Sequence, residues 1–166
     1  MEQCIDSCTD IPEGCFIIKD WMTGYIIMEI PHIIELPKVE DRRGNLSFIE
    51  GEGHAPFDIR RVYYIYDVPG GESRGGHAHK ALRQLMVAVA GSFTVVLDNG
   101  KTRRSFFLNH PWLGLYVPPG YWRTLEDFSS GAVCMVLASE HYDPEDYIYE
   151  YPEFLEYKGI TDGAEG

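Results

Sequence analysis

The sequence predicts an all-β fold, a barrel or sandwich of short strands with short helices at its C-terminal end. Three observations carry that expectation. β-Branched and aromatic runs recur at intervals of ~8–12 residues between turn formers, as strands that fold back on one another do. Gly91 and Asp98-Asn99-Gly100 mark tight turns between such runs. Past residue 142 the pattern changes to Pro and acids of the kind that open helices.

Taken in order, residues 1–30 mix turn formers with short apolar runs and predict an extension, either a strand or two or a partly disordered segment. From about residue 31 the chain is strand-rich. LSFIE (46–50), IRRVYYIYDV (59–68), RQLMVAVA (83–90) and SFTVVLD (92–98) have strand composition. TRRSFFL (102–108), GLYVP (114–118), WRTLED (122–127) and AVCMVLAS (132–139) follow. Asp143-Pro144-Glu145-Asp146 offers an N-cap, Pro at the first helical position and acids in the first turn. Tyr151-Pro152-Glu153 opens a second helix, for which Gly159 is the stop. The expected division is an extension over 1–30, one domain over 31–160 and a frayed tail over 161–166.

The 166 residues suit a single domain, and 45% hydrophobic content is ordinary for a globular one. Fourteen basic and 26 acidic residues give a net charge of −12. That balance argues against nucleic acid and against an anionic membrane as partner, since both need a basic face. A small anionic ligand still fits if a few cations gather. Five of the nine arginines (Arg42, Arg43, Arg60, Arg61, Arg74) fall within residues 42–74. Cys4, Cys8 and Cys15 lack zinc-site spacing, and Cys134 sits in an apolar run as a small hydrophobe. The N-terminus has no basic region or sustained apolar stretch, and no run approaches the ~18–20 apolar residues that span a bilayer. The expected location is the cytoplasm.

Residues 71–91 set Gly71, five residues, His77-Ala78-His79, four residues, Gln84, six residues and Gly91. That spacing is similar to the first cupin motif, with Gln84 where an acid is usual. Pro118-Pro119-Gly120-Tyr121-Trp122-Arg123 is similar to the second, with Arg123 in place of its histidine. The similarity implies a jelly-roll β-barrel. A metal cupin uses the two histidines of the first motif, its acid and the histidine of the second. A neutral amide replaces the acid here, and a guanidinium cannot ligate a cation. The expectation is therefore no metal and no cofactor.

His77 and His79 are two apart, so on a strand both rings share one face. They are the candidate acid and base, with His77 favoured as base and His79 as partner. Arg123 is the candidate cation for a developing oxyanion. Arg61 and Tyr63 share a strand face and are candidates for substrate contact, and Arg74 offers a fork for a phosphate. Gln84, Tyr116 and Trp122 complete the expected substrate-binding set, the two aromatics by stacking on a ring or by simple packing.

These residues carry a closer resemblance. RVYYIYDV (61–68), RGGHAHK (74–80), GLYVPPGYWR (114–123), DFSSG (127–131) and VLASEHYDPEDYI (136–148) resemble the nucleotide-sugar 3,4-ketoisomerases. The resemblance runs from about Leu36 to Phe154. It implies a dTDP-linked 4-keto-6-deoxy-D-glucose as substrate and a homodimer with exchanged N-terminal strands. It also implies a place in 3-amino-deoxysugar biosynthesis. One branch of the family has a third histidine at the place of Arg123; another has Arg. The first branch also carries an Arg that matches Arg43 in Asp41-Arg42-Arg43-Gly44. This chain combines Arg43 with Arg123, and Arg123 favours the gluco product over the galacto. The alternatives are a nucleotide-sugar epimerase, a metal dioxygenase and a non-catalytic sugar-binding cupin.

Overall fold

The computed structural model describes residues 15–20, 24–51 and 53–160. The extension contributes β1 (Cys15–Asp20) and β2 (Gly24–Glu29), an antiparallel pair. Then come β3 (His32–Glu35), β4 (Lys38–Val39), β5 (Leu46–Ser47), β6 (Arg61–Ile65) and β7 (Arg74–His79). β8 (Gln84–Ala90), β9 (Phe93–Asp98), β10 (Arg103–Leu108) and β11 (Leu113–Val117) follow. β12 (Trp122–Glu126), β13 (Val133–Ala138), a 3₁₀ turn (Pro144–Asp146), β14 (Tyr147–Ile148) and α1 (Tyr151–Tyr157) complete the order.

Two five-stranded antiparallel sheets hold the domain. One runs β10-β9-β12-β7-β14 and the other β3-β11-β8-β13-β6. The chain crosses between them at almost every connection, which is how a jelly roll closes. Each sheet's inner face supplies half of one core. Phe93, Val95, Leu97, Leu108 and Leu125 come from the first sheet; Met86, Leu115, Val117 and Val136 come from the second. Strand alternation turns the neighbours of these residues outward. Leu85, Val87 and Leu137 form an outer cluster with Leu36 and Ala55, and Ala78 joins Ile148 and Phe154 beneath α1.

Local chemistry explains the corners. At Gly91 φ is +63°, and a Cβ would lie 2.5 Å from Ser129 Oγ and 2.8 Å from Ala132 Cα. Only glycine fits the step from β8 to β9. Asp143 caps the 3₁₀ turn by accepting from the Glu145 amide, with Pro144 next in the chain. Helix α1 has Pro152 in its first turn and ends before Gly159, where φ is +68°.

The main β runs fold as the sequence predicts, trimmed by one to three residues where the sheet ladder ends. LSFIE is shorter still, with strand pairing only at Leu46–Ser47. Three short strands escaped the reading: β3, β4 and β14. Each is two to four residues long, too short to show a period. Residues 1–14 and 161–166, with Cys4 and Cys8 and the expected frayed tail, lie outside the described residues. Among the described residues, no helix is long and apolar enough to cross a membrane.

Candidate active site

The site forms where the inner faces of β6, β7, β8, β12 and β14 meet at one end of the barrel. His77 and His79 point inward from β7, while Ala78 between them points outward. Arg123 pairs with His77 across the β7–β12 ladder, and Tyr147 of β14 pairs with His79. A bulge interrupts the ladder at Arg123/Thr124. It is built from Gly75 and Gly76, with φ of +90° and +70°. A Cβ on Gly75 would approach the Arg123 carbonyl oxygen to 2.8 Å. The glycine pair before the histidines thus lets β7 bend and aim both rings inward.

Arg123 is the hub. Its Nη2 donates to Nε2 of His77 at 2.6 Å and to Nε2 of His79 at 2.7 Å. Its Nη1 donates to Gln84 Oε1. Gln84 in turn donates through Nε2 to the Tyr63 hydroxyl oxygen at 2.6 Å. Asp146 Oδ2 lies 2.9 Å from His79 Nδ1, and Asp146 Oδ1 accepts from the Ala81 amide at 2.6 Å. A guanidinium has only donors, so both Nε2 atoms accept and both rings carry their proton on Nδ1. Asp146 accepts that proton from His79 and fixes the ring's orientation.

The electrostatics follow from burial beside a cation. His77 is lowered to about 4, first by burial and then by Arg123, against a raising hydrogen bond that the ring donates to the Gly75 backbone. His79 is held well below the usual histidine range by burial, Arg123, His77 and Arg61. The Asp146 carboxylate pulls against that shift, yet burial and two guanidiniums outweigh one partly exposed acid. Both imidazoles are therefore neutral bases near pH 7. Arg123 is 4% exposed and, among the described residues, has no carboxylate as a hydrogen-bond partner. Such a group favours an anion in front of it.

A cavity of about 400 Å³ opens in front of this hub, with Tyr63, Arg74, His77, Arg123 and Tyr147 on its walls. The structure thus brings together five residues for acid–base work on an anionic ligand. A metal does not fit here. The two nitrogens that would ligate it already accept from a guanidinium, and the third position is an amide. A cation sits at the centre as part of the protein itself.

Several sequence expectations need correction. Tyr116 points to the outer face of its sheet, because the inward positions of β11 are Leu115 and Val117. Its hydroxyl donates to Glu29 Oε2 at 2.6 Å. Trp122 likewise points out from β12 and packs on Tyr151 and Phe154 under α1. Both aromatics pack rather than face the cavity. Gln84 is fully buried behind Arg123, so it holds the hub instead of lining the cavity. Arg61 faces a neighbouring cavity of about 360 Å³ with Tyr142 and Asp146, on the far side of Tyr147. Arg61 and Arg74 therefore do not share one wall. Arg43 is exposed in a turn with its guanidinium on Asp41, outside the cavity. Cys134 is buried against the core and its thiol is pushed up to about 12 by burial, so it is inert.

Two site residues escaped the reading. Tyr147 packs its ring 4.3 Å from that of His79 and 5.0 Å from that of His77. Asp146 orients His79. Both sit in the DPEDYI segment, which the sequence signals as a helix start and as part of the family resemblance, with no role for either residue. Nothing in the local pattern shows that β14 adds itself beside β7.

A family model described as FdtA: WxcM-like, C-terminal matches residues 29–159. A TDP-4-oxo-6-deoxy-α-D-glucose-3,4-oxoisomerase of Aneurinibacillus thermoaerophilus is 48% identical over 125 residues, 75% of this chain and 90% of the relative. The solved sugar 3,4-ketoisomerase QdtA of Thermoanaerobacterium thermosaccharolyticum, in complex with TDP, superposes with a TM-score of 0.76 at 40% identity. It covers 78% of this chain and 94% of its own. The TDP-quinovose 3,4-ketoisomerase WlaRB of Campylobacter jejuni gives a TM-score of 0.73 at 41% identity, over 78% and 99% of the two chains.

Proposed function

The chain belongs to the FdtA (WxcM-like, C-terminal) family, and from that premise we propose that it is a TDP-sugar 3,4-ketoisomerase working on TDP-4-keto-6-deoxyglucose by histidine-mediated proton transfer. One observation carries the mechanism. Two neutral imidazoles share a buried guanidinium, and that guanidinium and His77 line an open cavity with His79 buried behind them.

The chemistry needs little more. The C3–H bond of a 4-keto sugar is acidified by the neighbouring carbonyl. His77, the more exposed ring and the one on the cavity wall, gives up its hydrogen bond from Arg123 and takes that proton on Nε2, and the electron pair moves onto O4 as an enediolate. Arg123 and the Tyr63 hydroxyl face the developing negative charge. The proton of the O3 hydroxyl leaves as O3 becomes a carbonyl, and O4 takes up a proton to become the hydroxyl. The C4 carbon receives a proton as the C3–C4 double bond collapses. His79, held by Asp146, is the proposed partner that carries the proton from O3 to O4, while His77 returns its own to C4. Nothing is oxidised or reduced overall, so the residues present suffice. Arg74 at the cavity rim suits the diphosphate.

The finer reading follows the same residues. The product is the gluco 3-keto sugar, favoured by Arg123 at the second-motif position and by the 41% identity to a TDP-quinovose enzyme, quinovose being a gluco sugar. A 3-keto sugar invites transamination, which places the reaction in 3-amino-deoxysugar biosynthesis. The protein acts as a homodimer with exchanged N-terminal strands in the cytoplasm. Exposed Val62 and Tyr64 on the outer face of β6, with exposed Phe48 and Val89, suit such an interface. No metal takes part, and turnover should survive exhaustive chelation.

The decisive experiment follows TDP-4-keto-6-deoxyglucose by NMR in D2O with the protein. Deuterium at C4 and a gluco 3-keto product are expected. Deuterium at C3 or C5 with the ketone still at C4 would overturn the isomerase in favour of an epimerase, and no exchange would leave a binding protein.

A further inference from the structure

We propose that Gln84 is a positioning residue that keeps the Arg123 charge unpaired and turns the Tyr63 hydroxyl proton toward the cavity. The proposal rests on the ketoisomerase reading for what meets that proton and on geometry for the rest.

Gln84 is wholly buried on the inner face of β8, flanked across the ladder by Val117 and Ala138. An amide has one accepting end and one donating end. The end toward Arg123 must accept, because a guanidinium only donates. The other end then donates to the Tyr63 oxygen at 2.6 Å. That contact occupies the Tyr63 oxygen as an acceptor. Its own proton must turn away from Gln84, and Tyr63 lines the cavity alongside His77, Arg74 and Arg123. Burial raises the Tyr63 phenol above its ordinary value, so it stays protonated and able to donate.

One atom changes all of this. Glutamate at position 84, the acidic residue of the cupin spacing, would have two accepting oxygens. It would pair with Arg123 and cancel its charge, and it would draw the Tyr63 proton toward itself. The groups that face the histidine pair are Arg123 from β12, Asp146 and Tyr147 from the 3₁₀ turn and β14, Tyr149 just beyond β14, and Arg61 and Tyr63 from β6. Cys134 of β13 lies near Arg123 as a neutral thiol. Among them Arg123 is the cation in direct contact with both rings. A charge-neutral residue at 84 leaves it free to hold both rings neutral and to meet an enediolate.

Gln84→Glu tests this with two readouts. Ring NMR titration of His77 and His79, which needs no substrate, should show both rings protonating about 1 pH unit or more higher than in the wild type. The acid limb of kcat/KM should move up with them as kcat falls. Gln84→Met removes both contacts without adding charge, and it should leave the titrations low. Tyr63→Phe should cost about 10²-fold in kcat in the wild type. It should cost little in either the Gln84→Glu or the Gln84→Met background, because the proton is no longer directed. Unchanged titrations in Gln84→Glu, an equal rise in Gln84→Met, or additive costs with Tyr63→Phe would each overturn the proposal. If Gln84→Glu does not fold, the Met background decides. A wild-type protein that fails to isomerise the keto sugar sinks the proposed function instead, and the ring titrations still judge Gln84.

Discussion

The inside of the barrel has two ends with opposite chemistry, built on the same strands. Along the inner face of β8 the chain reads Gln84, Met86, Ala88; along β12 it reads Arg123, Leu125. Along β6 it reads Arg61, Tyr63, Ile65. Two residues along a strand are about 7 Å. Over that distance the interior passes from a hydrogen-bonded cation to hydrocarbon, where Ile65, Met86 and Leu125 floor the cavity and Phe93, Val95 and Leu97 pack beyond it. The apolar end is held by contact: Phe93, Val95, Leu97 and Leu125 are nearly or wholly inaccessible. The polar end is held by partners: every hydrogen-bonding group of Gln84, His79 and Arg123 described above meets another. Among the described residues Arg61 Nε is the buried side-chain atom left without one. The difference teaches that alternation decides only which residues face inward. Position along the strand decides whether they build a core or a site.

The sharpest way to break this comparison is to change one residue at each end. His77→Asn should lower turnover by about 10²–10⁴ while the protein still folds and binds TDP, as loss of general acid–base catalysis predicts. Phe93→Ala should do the reverse, costing about 3–5 kcal/mol of stability while the folded fraction keeps its specific activity. Steady-state kinetics beside denaturant titration separates them. Near wild-type turnover in both His77→Asn and His79→Asn would remove the acid–base role from the polar end.

Arg74→Ala probes the rim. Arg74 is exposed at the mouth of the cavity, so it should serve binding in ground and transition states alike. KM should rise about tenfold, the worth of one charge-assisted hydrogen bond, with kcat nearly unchanged. An unchanged KM would take Arg74 out of the site.

The pH dependence reads the polar end directly. His77 must be neutral to act as base, so kcat/KM should hold from pH 7 downward and fall only near pH 4. Stability carries the same signature. The unfolded histidine binds its proton near pH 6.5, while the folded one waits until about 4. Between those values the unfolded state binds more protons, so stability falls as pH drops through that window. His77→Asn should flatten part of that slope in thermal melts across pH 4–7; an identical slope would show that His77 is not the group responsible.

The smallest effect belongs to a residue on neither end. Tyr116→Phe removes a hydroxyl that donates to Glu29 on the outer face. It should cost about 1–2 kcal/mol in stability and leave kcat and KM alone. A loss of turnover would place Tyr116 in the site after all.

Much of the polar end was legible in the sequence. His77 and His79, two apart on a strand, had to share a face, and the likeness to the second cupin motif implied that Arg123 faces the same pocket. The glycine pair before them, Gly75 and Gly76, makes sense once Arg123 lies across the ladder. Tyr116 and Trp122 were less legible. Each is next to an inward-facing residue, and a shift of one position reverses the face. Asp146 and Tyr147 were hidden because β14 is only two residues long, and nothing local announces which strand it joins.

By itself the sequence determined the all-β class, the turns at Gly91 and Asn99-Gly100, the helix start at Pro144 and the pairing of two histidines on one strand face. Those features rest on local chemistry: alternation, φ preference and capping act within a few residues. The tertiary structure alone decided that Arg123 would sit between both imidazoles, that Gln84 would hold its far side, and that Asp146 would orient His79 from 67 residues away. Those contacts join strands from two sheets. Their geometry depends on how the barrel closes, and no short stretch of sequence encodes that.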